Sequence, residues 1–293
     1  MAKHKDKAAA RPAPTLQEQL PELRPGQSVE LLKALHILTR EGKLNQDTRR
    51  KLKQVNHLVQ FIEPLLAEVL AERGDVSLAD HGAGKSYLGF MLYDLFFKDK
   101  VVGRVSGVET RAELVEKSRA LAAQLGFARM DFLATTVQEA LTHPDLPARV
   151  DVVTALHACD TATDDAIAFG LAKQARHMVL VPCCQAEVAG VMRQHKAFSL
   201  SRTPLAELWR HPLHTREFGS QITNVLRCLQ LEAHGYSVTV TELVGWEHSL
   251  KNELILARKM PTDRGGARER ARERLGQVLE ALNLRELSQR FAV

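Results

Sequence analysis

The sequence predicts an α/β protein built on a mostly parallel, doubly wound sheet. Short apolar segments of strand length alternate with amphipathic segments of helix length between residues 76 and 184. Regular β-α alternation is typical of parallel sheets whose crossover helices cover both faces. The last two strand-like segments, 236–245 and 251–259, have no long helix between them. They predict an antiparallel hairpin at one edge of the sheet.

The elements follow in order along the chain. Residues 1–26 contain four prolines and many Ala, Gln and Lys, a composition that favours disorder. Helical spacing of apolar residues predicts helices at 28–40 and 46–73, the second kinked or split at Pro64. The predicted strands are 76–80, 104–109, 130–137, 150–159 and 177–184. The helices between them are 86–98, 111–126 and 163–175, and an Arg/Glu-rich amphipathic helix follows from residue 264.

The elements form four predicted regions with an uneven charge. The regions are a disordered basic tail (1–26), a helical N-terminal appendage (27–73), the main α/β domain (74–260) and an Arg/Glu-rich C-terminal helix (261–293). The net charge of +5 is concentrated at the ends, with +3 in residues 1–11 and +4 in residues 258–293. Basic ends on a near-neutral body favour nucleic-acid binding, although solvated tails give the same pattern.

Composition and patterning exclude several classes of protein. The apolar runs are shorter than the roughly 18 residues that a membrane-spanning helix needs, so no membrane partner is expected. The first residues are basic but lack the apolar stretch of a secretory signal. Four cysteines, two of them adjacent, do not make a disulfide framework. We therefore expect a cytoplasmic protein.

The segment LADHGAGKSYLGF (78–90) joins the first predicted strand to its helix and has several interpretations. Gly84-Lys85-Ser86 lacks the first glycine of a P-loop, and no later strand supplies a persuasive Asp for Mg²⁺. A dinucleotide fingerprint needs Gly or Ala where Tyr87 stands. A nucleoside cofactor without phosphates fits best. The alternative is a tight turn that serves the fold alone.

Acids at the ends of the first two strands indicate which cofactor this is. Asp80 ends the first strand, Gly82 and Gly84 let the backbone approach a ligand, and Glu109 ends the second strand. A carboxylate at the end of the second strand accepts hydrogen bonds from ribose hydroxyls. An acid in the first loop suits a cationic amino group better than a phosphate. Ribose and an amino group without phosphates describe S-adenosylmethionine.

Over residues 50–260 the sequence resembles the Rossmann-like S-adenosylmethionine-dependent methyltransferases. The loop LADHGAGKSYL and Glu109 carry this resemblance. The blocks DHGAGKSYLGF, ALHACDTATD, VPCC and HSLKNELILARK, in that order, further resemble one branch. That branch includes the eukaryotic methyltransferase-like proteins and the glutathione-S-transferase-C-terminal-domain-containing proteins. The resemblance implies a seven-stranded mixed sheet, mostly parallel with an antiparallel last strand.

The resemblance also implies a set of cofactor-binding residues. Thr136-Val137 match the turn that contacts adenine after the third strand. The complete set is Asp80, His81, Gly82, Gly84, Tyr87, Glu109, Thr136, Val137 and His157. Lys85 is expected to face solvent, and no resident metal ion is expected.

Candidate catalytic residues follow the fourth and fifth strands. His157, Cys159 and Asp160 end the fourth strand, and Cys183 and Cys184 end the fifth, so they converge at one sheet edge. His157 could act as a general base or orient the cofactor. Asp160 could cap the following helix or contact the methionine end of the cofactor. The cysteines could bind zinc, act as nucleophiles or line the cofactor pocket.

The expected acceptor is a macromolecule, with RNA ahead of protein and protein ahead of a small molecule. The basic ends favour RNA, whereas an aromatic content of 5% leaves few platforms for base stacking. The Asn/Asp-Pro-Pro-aromatic motif of amino-directed methyltransferases is missing, so methylation of a base amine is not implied. A catalytically silent module that binds RNA or protein is the alternative, and Asp80 and Glu109 argue against it.

Three further segments carry expectations. Residues 207–224 are polar and His-rich and predict a partly irregular lid over the substrate. His248, Lys251 and Asn252 lie at the mouth of the last hairpin and could face the substrate or serve the loop alone. Cys228 stands beside Leu226 and Leu229 on a predicted helix and is expected in the core.

Overall fold

The computed structural model describes residues 20–156, 158, 160–182, 185–195, 203–243, 253–263 and 265–293. The chain forms two compact units, Met1–Lys53 and Gln54–Val293. None of the described helices is long and apolar enough to cross a membrane.

The first unit contains helix α1 (Val29–Ala34) and the first turns of helix α2 (Gln46–Arg73). The Ser28 hydroxyl caps α1 by accepting a hydrogen bond from the Leu31 amide at 3.2 Å. The helix predicted at 28–40 ends early because His36 adopts a left-handed conformation with φ 56°. An ion pair between Arg49 and Glu22 joins α2 to the segment before α1.

Helix α2 continues into the second unit as a single helix of 28 residues that includes Pro64. The predicted split at this proline is therefore wrong. Proline removes one amide donor from the helix ladder, but Ile62 and Leu66 on either side of it are fully buried. Burial of this apolar face stabilises the helix and offsets the lost hydrogen bond.

The second unit is built on a seven-stranded sheet with the order β3-β2-β1-β4-β5-β7-β6. Its strands are β1 (Ser77–His81), β2 (Arg104–Glu109), β3 (Met130–Ala134), β4 (Val152–Leu156), β5 (His177–Val181), β6 (Tyr236–Glu242) and β7 (Glu253–Lys259). The first five strands pair in parallel, and β7 is antiparallel to both β5 and β6. The predicted mixed sheet with an antiparallel last strand is confirmed.

Helices connect the strands and cover the sheet. They are α3 (Tyr87–Leu92, extended by a π-helical turn Tyr93–Phe97), α4 (Ala112–Gln124), α5 (Val137–Ala140), α6 (Thr161–Ala172), α7 (Glu187–His195), α8 (Pro212–Ala233) and α9 (Ala267–Ala281). Strand β3 ends earlier than predicted because Thr136 caps α5. The core centres on residues of β4, α6 and β5, among them Phe169 and Met178, which are fully buried.

The segment predicted as a partly irregular lid is helical instead. A 3-10 turn (Pro204–Trp209) leads into α8, which is 22 residues long. Thr215, Gly219 and Thr223 recur every fourth residue and are buried. A Cβ on Gly219 would lie 2.6 Å from the Cβ of Ala189, so α8 packs closely on α7. The polar appearance of this segment reflects a face of small residues that permits close packing.

The C-terminal helix is confirmed as α9, which is followed by a 3-10 turn (Arg285–Leu287). Leu275 and Leu279 of α9 and Phe291 beyond it are buried in one cluster with Leu226 of α8 and Met192 of α7. The Arg and Glu side chains occupy the outer face of α9, which is the amphipathic arrangement the sequence predicts.

Candidate active site

The glycine loop lies between β1 and α3, at the carboxyl end of the sheet. Gly82 and Gly84 have φ values of +61° and +57°, which favour glycine. The Ala83 amide donates to the Val108 carbonyl at 3.2 Å and ties the loop to β2. A Cβ on Gly82 would lie 3.5 Å from the Cβ of Ala158, so the loop also approaches the segment after β4. The loop therefore touches the ends of both strands that flank β1.

Glu109, at the end of β2, closes this loop. Its Oε2 accepts a hydrogen bond from the Gly84 amide at 2.8 Å. Its Oε1 accepts from the Arg111 amide at 3.1 Å and from Arg111 Nε at 2.9 Å. Burial acts to raise the pKa of Glu109, but the hydrogen bonds from Arg111 and Gly84 outweigh it and lower the pKa to about 2. The carboxylate is ionised and held toward the loop.

Asp80 lies beneath the loop and is 2% exposed. Its Oδ1 accepts a hydrogen bond from the Thr154 hydroxyl at 2.7 Å, and the Ser86 hydroxyl lies 3.5 Å from Oδ2. Burial raises the pKa of Asp80 to about 6, against the lowering effect of hydrogen bonds from Thr154, Ser86 and the Gly89 amide. This acid is a buried support of the loop, and near neutral pH it carries a negative charge.

Two further residues hold Asp80 in place and were not singled out by the sequence reasoning. Thr154 is fully buried in β4, the strand beside β1. Gly89 lies in the first turn of α3, where a Cβ would lie 2.5 Å from Ser86 Oγ and 3.6 Å from Asp80 Oδ2. A polar residue inside an otherwise apolar strand is the signal that could have identified Thr154.

The remaining loop residues differ in exposure. His81 is 1% exposed, and its ring lies 4.1 Å from that of Phe169, centroid to centroid. Neither of its ring nitrogens has a hydrogen-bond partner within the described part of the chain. Burial lowers the pKa of His81 to about 3, so the ring is neutral. Tyr87 is half-buried, and Lys85 is exposed, as the sequence predicts.

The predicted adenine turn follows β3, whose end pairs with Glu109. Thr136 forms a capping box with Glu139, in which the Thr136 hydroxyl accepts from the Glu139 amide at 3.3 Å. The Thr136 side chain is exposed and Val137 is half-buried. The turn is thus rigidly held beside the end of β2.

Asp160 does not cap the helix that follows it, so that alternative is wrong. Its φ and ψ are 50° and −120°, and its side chain makes no hydrogen bond to α6. Instead its Oδ1 accepts from the amides of Ala186 and Glu187 at 2.9 and 3.3 Å, at the start of α7. The side chain therefore links the end of β4 to the helix after β5. No local spacing in the sequence indicates this contact.

Arg227 of α8 supports the same region and is fully buried. Its Nε and Nη2 donate to the two carboxylate oxygens of Asp164 at 2.7 and 2.8 Å. Nη2 also donates to the Asp160 carbonyl at 2.8 Å, and Nη1 to Asn224 Oδ1 at 3.1 Å. A guanidinium held in this way fixes the backbone at the end of β4.

Asn224 extends this hydrogen-bond network to the segment after β5 and to the start of β7. Gln185, after β5, donates from Nε2 to Asn224 Oδ1 at 3.1 Å. Asn224 Nδ2 donates to Glu253, the first residue of β7, at 2.7 Å. Ser220 donates to Gln185 Oε1 at 2.5 Å. Sequence reasoning missed this cluster, although the polar residues 220, 224 and 227 recur at helical spacing and could have indicated it.

Several predicted site residues lie outside the described part of the chain. These residues are His157, Cys159, Cys183, Cys184, His248, Lys251 and Asn252. Their neighbours Ala158, Asp160, Pro182 and Gln185 are described and follow β4 and β5 at the edge that holds the glycine loop. No group of three or more His, Cys, Asp or Glu among the described residues could hold a metal ion.

Comparisons with known proteins concern both sequence and fold. Residues 50–191 match a family model described as a methyltransferase domain, whereas no curated protein matches the chain. The chain is similar to an rRNA methylase from Streptococcus thermophilus, with a TM-score of 0.43 and 10% identity over 69% of this chain and 96% of that chain. It is also similar to SAH-bound methyltransferase PaMTH1 of Podospora anserina, with a TM-score of 0.44 and 10% identity over 80% of this chain and 88% of that chain. Residues 50–191 are therefore similar to a methyltransferase domain, and the chain carries a seven-stranded mixed sheet.

Proposed function

We propose that the protein is an S-adenosylmethionine-dependent methyltransferase whose acceptor is RNA, from the branch that carries the LHAC and PCC motifs. The observation that carries the proposal is the contact between Glu109 and the Gly84 amide. It brings an ionised carboxylate at the end of β2 to the backbone of a glycine loop at the end of β1. Ligands bind at this edge in open α/β sheets.

The donors at this edge fit the cofactor. Glu109 and Asp80 supply two carboxylates, and the nearby cation Lys85 is exposed. Acids repel the phosphates of a nucleotide but accept hydrogen bonds from ribose hydroxyls and attract an amino group. In this proposal Glu109 binds the ribose, and the charge of Asp80 acts from beneath the loop on the amino group. The loop residues His81, Gly82, Gly84 and Tyr87, together with Thr136, Val137 and His157, line the site.

When bound, this cofactor supplies a methyl group on a positively charged sulfur. The protein's own contribution is position and exclusion of water. Asp160 Oδ1 accepts hydrogen bonds from the start of α7, whereas Oδ2 has no hydrogen-bond partner among the described residues and is proposed to contact the methionine end of the cofactor. His157 is proposed as the base that accepts a proton from the acceptor. Cys159, Cys183 and Cys184 line the pocket beside it.

The choice of RNA rests on charge. The two ends of the chain carry +3 and +4 on a body of about −2. Lys and Arg side chains release counterions from phosphates, which gives RNA-binding proteins a steep salt dependence. A protein acceptor has no comparable support from the described residues and is an outcome of the test below.

One observation favours the silent module, which is the second candidate. Arg111 occupies both oxygens of Glu109, at 2.9 and 3.2 Å, so the ribose-binding acid is already paired. The Arg111 side chain is 61% exposed, however, so the pair is weak and the guanidinium can leave at small cost. Cofactor binding decides between the two candidates.

Calorimetric titration of S-adenosylmethionine tests the cofactor. Glu109→Gln and Asp80→Ala should each weaken binding at least tenfold, whereas Glu116→Gln, an exposed acid paired on the surface of α4, should leave it unchanged. Equal affinities of all four proteins would refute the site. Wild-type protein without measurable affinity would favour the silent module.

Transfer of radiolabelled methyl groups into fractionated lysate tests the acceptor. The label should be released by ribonuclease and resist protease. Label that is released by protease and resists ribonuclease would replace RNA with a protein acceptor. Glu109→Gln serves as the control, because its weaker cofactor binding should lower the transfer of label at the same cofactor concentration.

A further inference from the structure

A cleft lies at the opposite end of the sheet from the candidate active site. Strand β6 begins at Tyr236, which pairs with Lys259 at the end of β7. Because β7 is antiparallel to β5, its end lies beside the start of β5, where His177 pairs with Arg258. The glycine loop lies at the carboxyl ends of the parallel strands. The two regions are therefore separated by the length of the strands.

The cleft has a volume of about 410 Å³ and is lined by the end of α8, the turn into β6, the end of β7 and the start of α9. Arginines from the first two turns of α9 dominate its walls, namely Arg268, Arg270 and Arg274. Glu232 and Asp263 are its acidic lining residues. A cavity of this size accommodates a phosphate group together with part of the molecule that bears it.

The positive charge of the cleft is only partly neutralised. Arg274 pairs with Glu232 at 2.6 Å. Arg270 donates to the Gly265 carbonyl, and neither Arg268 nor Arg270 has a carboxylate partner for its side chain among the described residues. The Nε of Arg268 is buried and has no hydrogen-bond partner within the same residues. A buried donor without an acceptor is costly and marks a place where a ligand oxygen would be stabilised.

The Arg268 guanidinium is held against the backbone of Gly235. A Cβ on Gly235 would lie 2.5 Å from Arg268 Nε and 2.7 Å from Cζ, and Gly235 has a φ of +83°. Lys259 lies nearby, with its Nζ 2.7 Å from the His234 carbonyl and 4.7 Å from the centre of the Tyr236 ring. Burial lowers the pKa of Lys259, and the charge of Arg268 nearby lowers it further.

The start of α9 also lines the cleft. Gly266 occupies the position before the helix and makes no side-chain cap. The Arg268 amide donates to Asp263 Oδ1 at 3.3 Å, so a carboxylate already caps the helix start and offsets part of the positive charge there. In this cleft Arg268, Arg270 and Arg274 line one space, and Lys259 lies beside it.

We propose that this cleft binds an oxyanion of the phosphate class, supplied by the backbone of an RNA or by a free phosphate-bearing molecule. Guanidinium groups bind phosphate through paired hydrogen bonds, which a lysine cannot reproduce. The proposal goes beyond the proposed function and does not rest on it, because the cleft lies away from the glycine loop. Binding of RNA here would hold the acceptor on the body of the enzyme while another segment reaches the active site.

The test compares two double variants that remove the same charge from the full-length protein. The first double variant, Arg268→Ala with Arg270→Ala, removes the two arginines of the cleft whose side chains have no carboxylate partner among the described residues. Arg272→Ala with Arg285→Ala is the control, since these arginines are exposed and paired with Glu269 and Glu280. The probes are inorganic phosphate, followed by the rise in melting temperature, and a fluorescein-labelled oligouridylate, followed by anisotropy over a range of salt concentrations. Circular dichroism establishes that each variant is folded, and Arg268→Gln replaces the first pair if it is not.

Phosphate should stabilise the wild type and the control pair but not the cleft pair. The slope of log affinity for RNA against log salt should become shallower in the cleft pair, by about 0.7 for each RNA phosphate that the cleft no longer neutralises. If only the phosphate effect is lost and all RNA slopes agree, the site belongs to a free phosphate-bearing ligand. If cleft and control pairs behave alike with both probes, the proposal is overturned. Titration of S-adenosylmethionine should be unchanged in every variant, which separates this result from the test of the active site.

Discussion

Arg227 and Asp164 form a buried, two-point ion pair between α8 and the first turn of α6. Both nitrogen–oxygen distances are below 2.9 Å, and the two side chains are 0% and 5% exposed. The same guanidinium also donates a hydrogen bond to the Asp160 carbonyl. Arg227 therefore fixes the backbone after β4 in addition to pairing with Asp164. A buried pair contributes little net stability over apolar residues of similar volume, whereas loss of one partner is costly.

Arg227→Met should therefore lower the free energy of unfolding by about 3–5 kcal/mol, because it leaves the Asp164 carboxylate buried and unpaired. The double variant with Asp164→Leu should recover most of that loss. Methyl transfer should stay low in the double variant, since the Asp160 carbonyl has lost its donor. Urea unfolding and single-turnover transfer measure the two effects separately. Activity that recovers together with stability would show that Arg227 has no positioning role.

Two variants of Asp160 should separate its effect on stability from its effect on cofactor binding. Asp160→Ala should cost about 1–2 kcal/mol of unfolding free energy, since α7 loses its cap. Asp160→Asn keeps an oxygen acceptor for the cap and should cost less than about 1 kcal/mol. We nevertheless expect Asp160→Asn to weaken S-adenosylmethionine binding, because an amide nitrogen replaces Oδ2. Normal affinity in this folded variant would limit Asp160 to capping.

Arg111 competes with the proposed ribose for Glu109. Removal of an exposed ion pair of this kind is worth up to about 1 kcal/mol, so Arg111→Ala should tighten S-adenosylmethionine binding by up to about fivefold. Arg119→Ala in α4, the helix that follows Arg111, is a control with the same change in charge. Weaker binding in Arg111→Ala alone would mean that Arg111 itself contacts the cofactor, and it would contradict the competition.

The raised pKa of Asp80, about 6 against an ordinary value of 3.8, predicts a pH-dependent stability. Between these values the unfolded chain binds fewer protons than the folded protein, so the free energy of unfolding falls as pH rises. Above pH 6 the penalty is constant, at up to about 3 kcal/mol. Asp80→Asn removes it and should raise the melting temperature at pH 8, with a gain that disappears near pH 4, while cofactor binding is lost.

The control for Asp80 is Asp131→Asn, which alters an exposed acid of β3 and should change the melting temperature little at either pH. A gain in Asp80→Asn that is equal at pH 8 and pH 4 would count against the raised pKa. A stabilised variant that binds no cofactor is the behaviour expected of a buried acid retained for function.

Cys228 should be chemically inert. It is half-buried, and burial together with Glu253 and Glu232 raises the pKa of its thiol to about 12. The thiolate is the reactive form, so iodoacetamide at neutral pH should leave Cys228 unmodified in the folded protein and label it in urea. Peptide mass spectrometry gives the readout. Rapid labelling of Cys228 without denaturant would contradict this assignment, whereas labelling of Cys159, Cys183 or Cys184 would identify the reactive thiols.

Local patterns in the sequence were sufficient for the mixed sheet to be anticipated in outline. Strands of about five apolar residues, each followed by a helix, predict a parallel sheet because crossover connections leave few topologies. The glycine loop and Glu109 were also accessible, since both lie at fixed distances from strand ends. The positive φ of Gly82 and Gly84 agrees with the reason for choosing glycine there.

Long-range contacts account for what the sequence reasoning missed. The groups that donate hydrogen bonds to Asp160 lie 26, 27 and 67 residues away, at the start of α7 and on α8, and no periodicity connects them. The small residues Gly219 and Thr223 looked like parts of an irregular segment, although they allow α8 to pack on α7. Pro64 was expected to kink or split its helix, but the helix is continuous and the neighbours of Pro64 are buried.

Residue type and local spacing were enough to specify the alternation of strands and helices, the glycine loop and the acids beside it. Only the folded chain shows that Asp80 is a buried support, that Glu109 is shared with Arg111, and that Arg268 lies unpaired against Gly235 among the described residues. Burial and the pairing of charges depend on residues distant in the chain. Burial and charge pairing determine the pKa of an acid and whether a cation has a partner, and both arise only when folding brings distant residues together.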